Sequence, residues 1–252
     1  MKIFKIIFFI ISIQFLLYSE KDINEIFKLA NEKYKKGNYN EAIELYESII
    51  KKGGKNGYIF YNLGNAYFKN NQLGKAILNY ERAKLFLPYD KDVNFNLKFA
   101  NNLTKDKFTE KEISPFIKIL LFFYNLFDIN SLTLILYFLF LLIIAHFFVK
   151  WFVKNTFIRE LNYKVIKFLL SIFLILLFIL IIKIYSNENI SYGIVTASET
   201  QIRSGPGEEY TVIFVLHEGT KLMLHNKSGD HIQVTLPNDY SGWIKLKDIE
   251  KI

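Results

Sequence analysis

Apolar and polar positions follow three different rhythms along the chain. From residue 23 to about residue 103, apolar or small residues recur three and four apart, the spacing of amphipathic helices. The pattern returns on itself after 34 residues. Residues 23–56 align without a gap on 57–90, placing Leu29 on Leu63, Ala30 on Gly64, Asn31 on Asn65, Ala42 on Ala76, Ile43 on Ile77 and Tyr46 on Tyr80. A fixed period of this length marks stacked units of two helices each. Ala or Gly at 30/64 and Ala at 42/76 let paired helices approach closely, while Leu29/Leu63 and Tyr46/Tyr80 fill the space around them. Gly37 and Asn71 stand where each pair turns and a left-handed backbone is needed. Residues 91–103, with Val93, Leu97, Phe99 and Ala100, predict one more helix that caps the stack.

The second rhythm is unbroken apolarity. Residues 131–149 form a run about 28 Å long as a helix, enough for a bilayer core of roughly 30 Å. Residues 165–185 form a second, with Lys167 and Lys183 placed to snorkel. The alternative for both is a pair of buried core helices. Residues 1–19 have early lysines, an apolar stretch and then Tyr18, Ser19 and Glu20, the profile of a signal peptide or, if uncleaved, of an anchor with the same orientation. Residues 113–128 are apolar but short for a span. Lys118 and Asn125 share one helical stripe there, with Asp128 close by, as in a helix lying in the membrane interface; a third span is the alternative. Between the two long runs, residues 150–164 carry Lys150, Lys154, Arg159 and Lys164 against Glu160. A basic loop stays in the cytoplasm, which predicts that residues 20–107 and 190–252 both lie on the outer side of the inner membrane.

Residues 190–252 switch to short alternating runs separated by turn signals, predicting a small all-β barrel. Gly205, Pro206 and Gly207 set a tight turn that Arg203 ties to the barrel, and Gly242 lets Trp243 fold over the core. His217, His225 and His231 match no metal-ligand spacing and read as ordinary surface histidines.

Composition sharpens this picture. The 252 residues include no cysteine, which removes disulfides, thiol nucleophiles and cysteine-bound metals. The net charge of +8 resides almost wholly on lysine, with Arg82, Arg159 and Arg203 the only arginines, a poor endowment for reading nucleic acid. A mean hydropathy of +0.16 with 22% charged residues fits a mosaic of wet and membrane parts. No catalytic fingerprint or nucleophile–base pair is legible, so neither an enzyme nor a cofactor or metal is expected.

The 34-residue units, with Gly64, Tyr67, Ala76, Tyr80, Ala83 and Pro88 in the second, resemble tetratricopeptide repeats; the first departs at Lys33, Ile49 and Gly54. The resemblance implies a peptide-binding concave face, which the register assigns to Phe27, Asn31, Tyr34, Lys35, Tyr61, Asn62, Asn65, Phe68, Lys69, Phe95 and Phe99. The alternative is that these aromatics only pack a scaffold. Phe27, Asp92 and Asn96 stand where some members of that family hold a ligand's terminal carboxylate with cations, so such a ligand is not expected. Ile202, Arg203, Ser204, Gly205 and Pro206 with Gly242 and Trp243 resemble the bacterial SH3 family, although His231 replaces a usual aromatic; that resemblance implies peptide or cell-wall binding. The expected fold is thus a multidomain membrane protein: an all-α repeat solenoid, a two-helix membrane hairpin and an SH3-like barrel. This order resembles BatE-like members of the Bat aerotolerance group. It implies a scaffold that partners von Willebrand A-domain membrane proteins and a MoxR-type ATPase. A peptidoglycan-binding envelope sensor is the alternative.

Overall fold

A computed structural model describes residues 22–108, 113–152 and 155–252; the predicted signal segment lies outside them. The chain forms two compact units, one joining the N-terminal part to residues 191–252 and one made of residues 111–190.

In the first unit, five helices stack in sequence: α1 (residues 22–35), α2 (Tyr39–Lys51), α3 (Gly57–Lys69), α4 (Leu73–Phe86) and α5 (Lys91–Leu103). Their bounds repeat the 34-residue period. Gly37 and Asn71 turn the pairs with φ of 80° and 58°, and the Asn56 and Asp90 side chains cap α3 and α5 through their first amides. Gly64 is required by closeness: a Cβ there would sit 2.7 Å from the Tyr80 ring. Ala30, Ala42, Ala66, Ala76, Tyr46, Leu63, Ile77 and Tyr80 form one buried core. The expectation that Leu29 fills space as Leu63 does is corrected. Leu63 is 2% exposed and Leu29 43%, because Leu63 lies between two helix pairs and no described helix precedes α1 to cover Leu29.

The C-terminal part is a single antiparallel sheet of seven strands: β1 (Ser191–Val195), β2 (Glu199–Arg203), β3 (Val212–His217), β4 (Lys221–Ser228), β5 (His231–Thr235), β6 (Ser241–Lys245) and β7 (Ile249–Lys251). The order is β3-β2-β6-β5-β4-β1-β7. Leu216 of edge strand β3 and Ile249 of the opposite edge strand β7 share one core with Val195, Ile202, Leu222, Ile232, Val234 and Ile244, so the sheet curls round a single centre as the alternation predicts. Trp243, expected over that core, is half-buried and pairs across strands with Arg203 and Gln233. Gly242 serves a different purpose, since a Cβ would meet Ile202 at 2.3 Å.

The second unit holds α6 (Pro115–Asn125), α7 (Ile129–Phe152) and α8 (Thr156–Asn189). Two helices are long and apolar enough to cross a membrane, over Ile129–Phe148 and Thr156–Ser186. They pair through Leu132, Leu136 and Leu180 and through the Phe140 and Phe173 rings. The predicted loop 150–164 is corrected: residues 150–152 continue α7 and 156–164 open α8. Asn155 caps α8 by accepting from the amides of Phe157 and Ile158, and Glu160 and Lys164 pair one turn apart. Among the described residues, Arg159 and Lys164 thus lie in the opening turns of α8. Helix α6 buries no side chain, and Phe116, Ile119, Phe122 and Phe123 are all exposed.

Candidate functional site

The predicted concave-face residues fall on the three odd-numbered helices of the stack: Phe27, Asn31, Tyr34 and Lys35 on α1, Tyr61, Asn62, Asn65, Phe68 and Lys69 on α3, Phe95 and Phe99 on α5. Side-chain bonds join these helices in a pattern that repeats. Asn31 Oδ1 accepts from the Tyr46 hydroxyl at 2.6 Å and from Asn62 Nδ2 at 3.0 Å. One period later, Asn65 Oδ1 accepts from the Tyr80 hydroxyl at 2.8 Å and from Asn96 Nδ2 at 3.0 Å. Burial pushes the Tyr46 phenol up to about 12, a rise the neighbouring Tyr34 reinforces, so it stays a neutral donor throughout the physiological range. The Asn31 and Asn65 oxygens are thus committed inside the protein, which sequence reasoning missed along with the part played by Asn96; the 34-residue spacing of Asn62 and Asn96 was the available signal.

The amide nitrogens of Asn31 and Asn65 and the amide oxygens of Asn62 and Asn96 are not bonded among the described residues. Aromatic contacts continue the face from Phe27 against Tyr46 and Tyr61 against Tyr80 to Phe68, Phe99 and Phe95. Tyr34 stacks obliquely on Tyr39. Two hollows meet at Asn62: one of about 260 Å³ lined by Asn31, Tyr34, Lys35, Tyr46 and Asn65, and one of about 380 Å³ lined by Phe27, Asn56, Tyr58 and Ile59. Lys35 and Lys69 are exposed and make no ion pair among the described residues.

A second assembly, absent from the sequence reading, joins the helices to the sheet. The β3–β4 turn enters beside the start of α4, where the Gly74 amide donates to Glu218 Oε2 at 2.8 Å. This places a carboxylate at a helix N-terminus. A Cβ on Gly74 would lie 2.7 Å from the Val195 carbonyl oxygen, and one on Gly219 (φ 89°) would lie 2.7 Å from both Ile77 and Thr104. Asp106, just after α5, accepts from the His217 amide at 2.7 Å and the Thr220 hydroxyl at 2.6 Å, and meets His217 Nδ1 at 2.8 Å. Burial would raise its carboxyl pKa, but the bonds from Thr220 and His217 outweigh it and hold the group below its ordinary value. Lys221 reaches Glu81 at 2.9 Å, Arg82 donates to the Lys251 carbonyl at 2.6 Å, and Ile194 and Ile252 pack into the helical core. The two modules are one body.

On the sheet, Arg203 ties the 204–211 loop as expected, donating to the Glu208 and Tyr210 carbonyls at 2.9 and 2.8 Å and pairing with the Glu208 carboxylate, which also meets Lys245. The three histidines do not gather, and no metal-holding cluster occurs among the described residues. Their reading as surface residues is corrected: only His225 is exposed, His217 is spent on Asp106, and His231, the first residue of β5, is 3% exposed. A hollow of about 380 Å³ lined by Glu199, Gln201, Arg203, His231, Lys245 and Lys247 lies on this face.

No curated protein matches the chain. The family model of the bacterial SH3 domain matches residues 198–250, the stretch from the start of β2 to within β7, and with the two apolar helices this gives a chain that carries a bacterial SH3 domain and a candidate membrane hairpin.

Proposed function

We propose that the protein is a membrane-anchored extracytoplasmic scaffold whose helices are tetratricopeptide-type repeats. Their groove takes a segment of a partner protein, and the SH3-type sheet takes a second peptide or cell-wall ligand. A bacterial SH3 domain suggests a protein-binding role in the cell envelope. The observation that carries the groove reading is the repeated Asn pair: each has one unbonded amide donor and one unbonded amide acceptor among the described residues, the groups a peptide backbone pairs with, beside the exposed rings of Phe95 and Phe99.

The membrane topology has its own support. Residues 22–108 and 191–252 belong to one unit, so the chain between them leaves and re-enters the same side of any bilayer and crosses it an even number of times. That favours the α7–α8 hairpin with α6 lying in the interface over a third span, and the basic residues between the two spans support an outside location for the unit. Membership of a Bat-type complex, with a von Willebrand A-domain protein and a MoxR-type ATPase, follows from the order of modules. Affinity purification from native membranes tests both parts. Phe95→Ser with Phe99→Ser is expected to abolish co-purification of the partner while leaving the thermal melt of the detergent-solubilised chain in place. Undiminished capture would make the groove purely structural.

A further inference from the structure

The groove's charge and surface change character along its length, and this narrows what fits it. The residues facing it repeat by 34: Phe27, Tyr61 and Phe95; Lys28, Asn62 and Asn96; Asn31, Asn65 and Phe99; Tyr34, Phe68 and Asn102; Lys35, Lys69 and Leu103. None of these fifteen positions holds Asp or Glu, whereas Lys28, Lys35 and Lys69 are exposed and unpaired among the described residues. All three cations belong to α1 and α3. On α5 the corresponding positions hold Asn96 and Leu103 and no cation, and Phe95, Phe99 and Leu103 are exposed at 69%, 49% and 52% along one stripe. Asp92, the acid in the first turn of α5, lies at the other end of that helix from Leu103.

From this complementarity, and resting on the groove reading above, we propose that the occupant is an extended, acidic segment of a partner protein that ends in large apolar residues over α5. The Asn pairs hold its backbone. The inner helices touch through Asn31–Asn62 and Asn65–Asn96. Neighbouring axes at such contacts lie about 8–10 Å apart, and an extended chain advances about 3.3 Å per residue, so the segment moves roughly three residues per repeat. Acidic side chains about every third residue therefore meet Lys35 and then Lys69, and aromatic or aliphatic side chains reach Phe95 and Phe99.

The test uses the full chain in nanodiscs and two fluorescein-labelled, C-terminally amidated peptides read by anisotropy. One has Glu at every third position followed by two Phe; the other has Lys in place of Glu. The Glu peptide binds the more tightly by about tenfold, its affinity falls with added salt, and Lys35→Glu with Lys69→Glu reverses the preference. These lysines are exposed, so the variant keeps its fold. Equal binding of both peptides that Phe95→Ser with Phe99→Ser abolishes would overturn the acidic preference and leave the groove reading standing. Binding of neither peptide would overturn the inference too. A photo-crosslinker at Tyr34 in intact cells then judges the groove itself: an adduct with another protein keeps that reading, and no adduct ends it.

Discussion

Asn31 and Asn65 look like ligand-facing side chains in the sequence, yet each has its oxygen committed to a buried tyrosine hydroxyl. Replacing such a residue removes the acceptor from a largely buried hydroxyl, a loss of about 1–3 kcal/mol. Asn31→Ala is therefore expected to lower the melting temperature of the solubilised chain, and Tyr46→Phe added to it to recover part of the loss, since no hydroxyl is then left unpaired. Full additivity of the two changes would show that the bond contributes nothing. The position is a poor place to probe ligand binding, whereas Phe95 and Phe99 are good ones. A similar argument singles out Gly74. Its missing Cβ leaves room for the backbone of Val195 and Gly219, which cannot step aside as a flexible side chain does. Gly74→Ala should cost roughly 1–3 kcal/mol through overpacking. Faster amide exchange in the β3–β4 turn than in α2 is the signature that checks it.

At the scale of elements, how much the sequence reveals depends on how local the contact is. The helices, their turns at Gly37 and Asn71, the capping helix α5 and the alternating strands are all legible because each announces itself within a few residues or at a fixed period. The docking of the β3–β4 turn on α4 is not. Gly74, Asp106, His217 and Gly219 look like ordinary helix-start, linker and turn residues, and the bond between Gly74 and Glu218 spans 144 positions with no periodic trace. Ile194 and Ile252 likewise read as members of a barrel, although they pack in the helical core. Loop 150–164 was misread because its charges signal polarity, while Asn155 and the Glu160–Lys164 pair make most of it helix. The docked turn also has a pH signature. The folded-state pKa of Asp106 lies below its ordinary 3.8, so its stabilising effect is complete above that value and disappears as pH falls through the lowered folded value. Exchange protection of the His217 amide is expected to hold from pH 7 to about pH 4 and to decline below it, with Asp106→Asn showing reduced protection already at neutral pH.

For the whole molecule, the absence of cysteine makes topology directly measurable. Under the proposed topology, single cysteines at Lys55 and Asn226, both exposed in the unit that joins helices and sheet, should react together with a membrane-impermeant maleimide applied from outside, while one at Thr156, at the start of α8, should react only after permeabilisation. Opposite labelling of Lys55→Cys and Asn226→Cys would contradict the joining of helices and sheet. Docking also bears on the proposed scaffold role: two sites on a flexible tether gain through effective concentration, whereas two sites on one body would keep a fixed spacing, and on the proposed reading the groove and the sheet face would register two ligands against each other.

The shared body also sets an order of events during synthesis. The helical stack emerges first, yet Ile194, Gly219 and Ile252, which complete its Ile77 side, follow only after the hairpin. Ile252 comes 149 residues after Leu103, the end of the stack, and ribosomes add roughly 5–20 residues per second, so the stack waits about 7–30 s before that flank is complete. During this interval the nascent chain is open to proteases and chaperones, on the proposed topology those of the outer face. A chain ended at residue 190 remains in that condition, and its steady-state level in cells should fall well below that of the full-length protein, with the difference reduced when envelope proteases are removed.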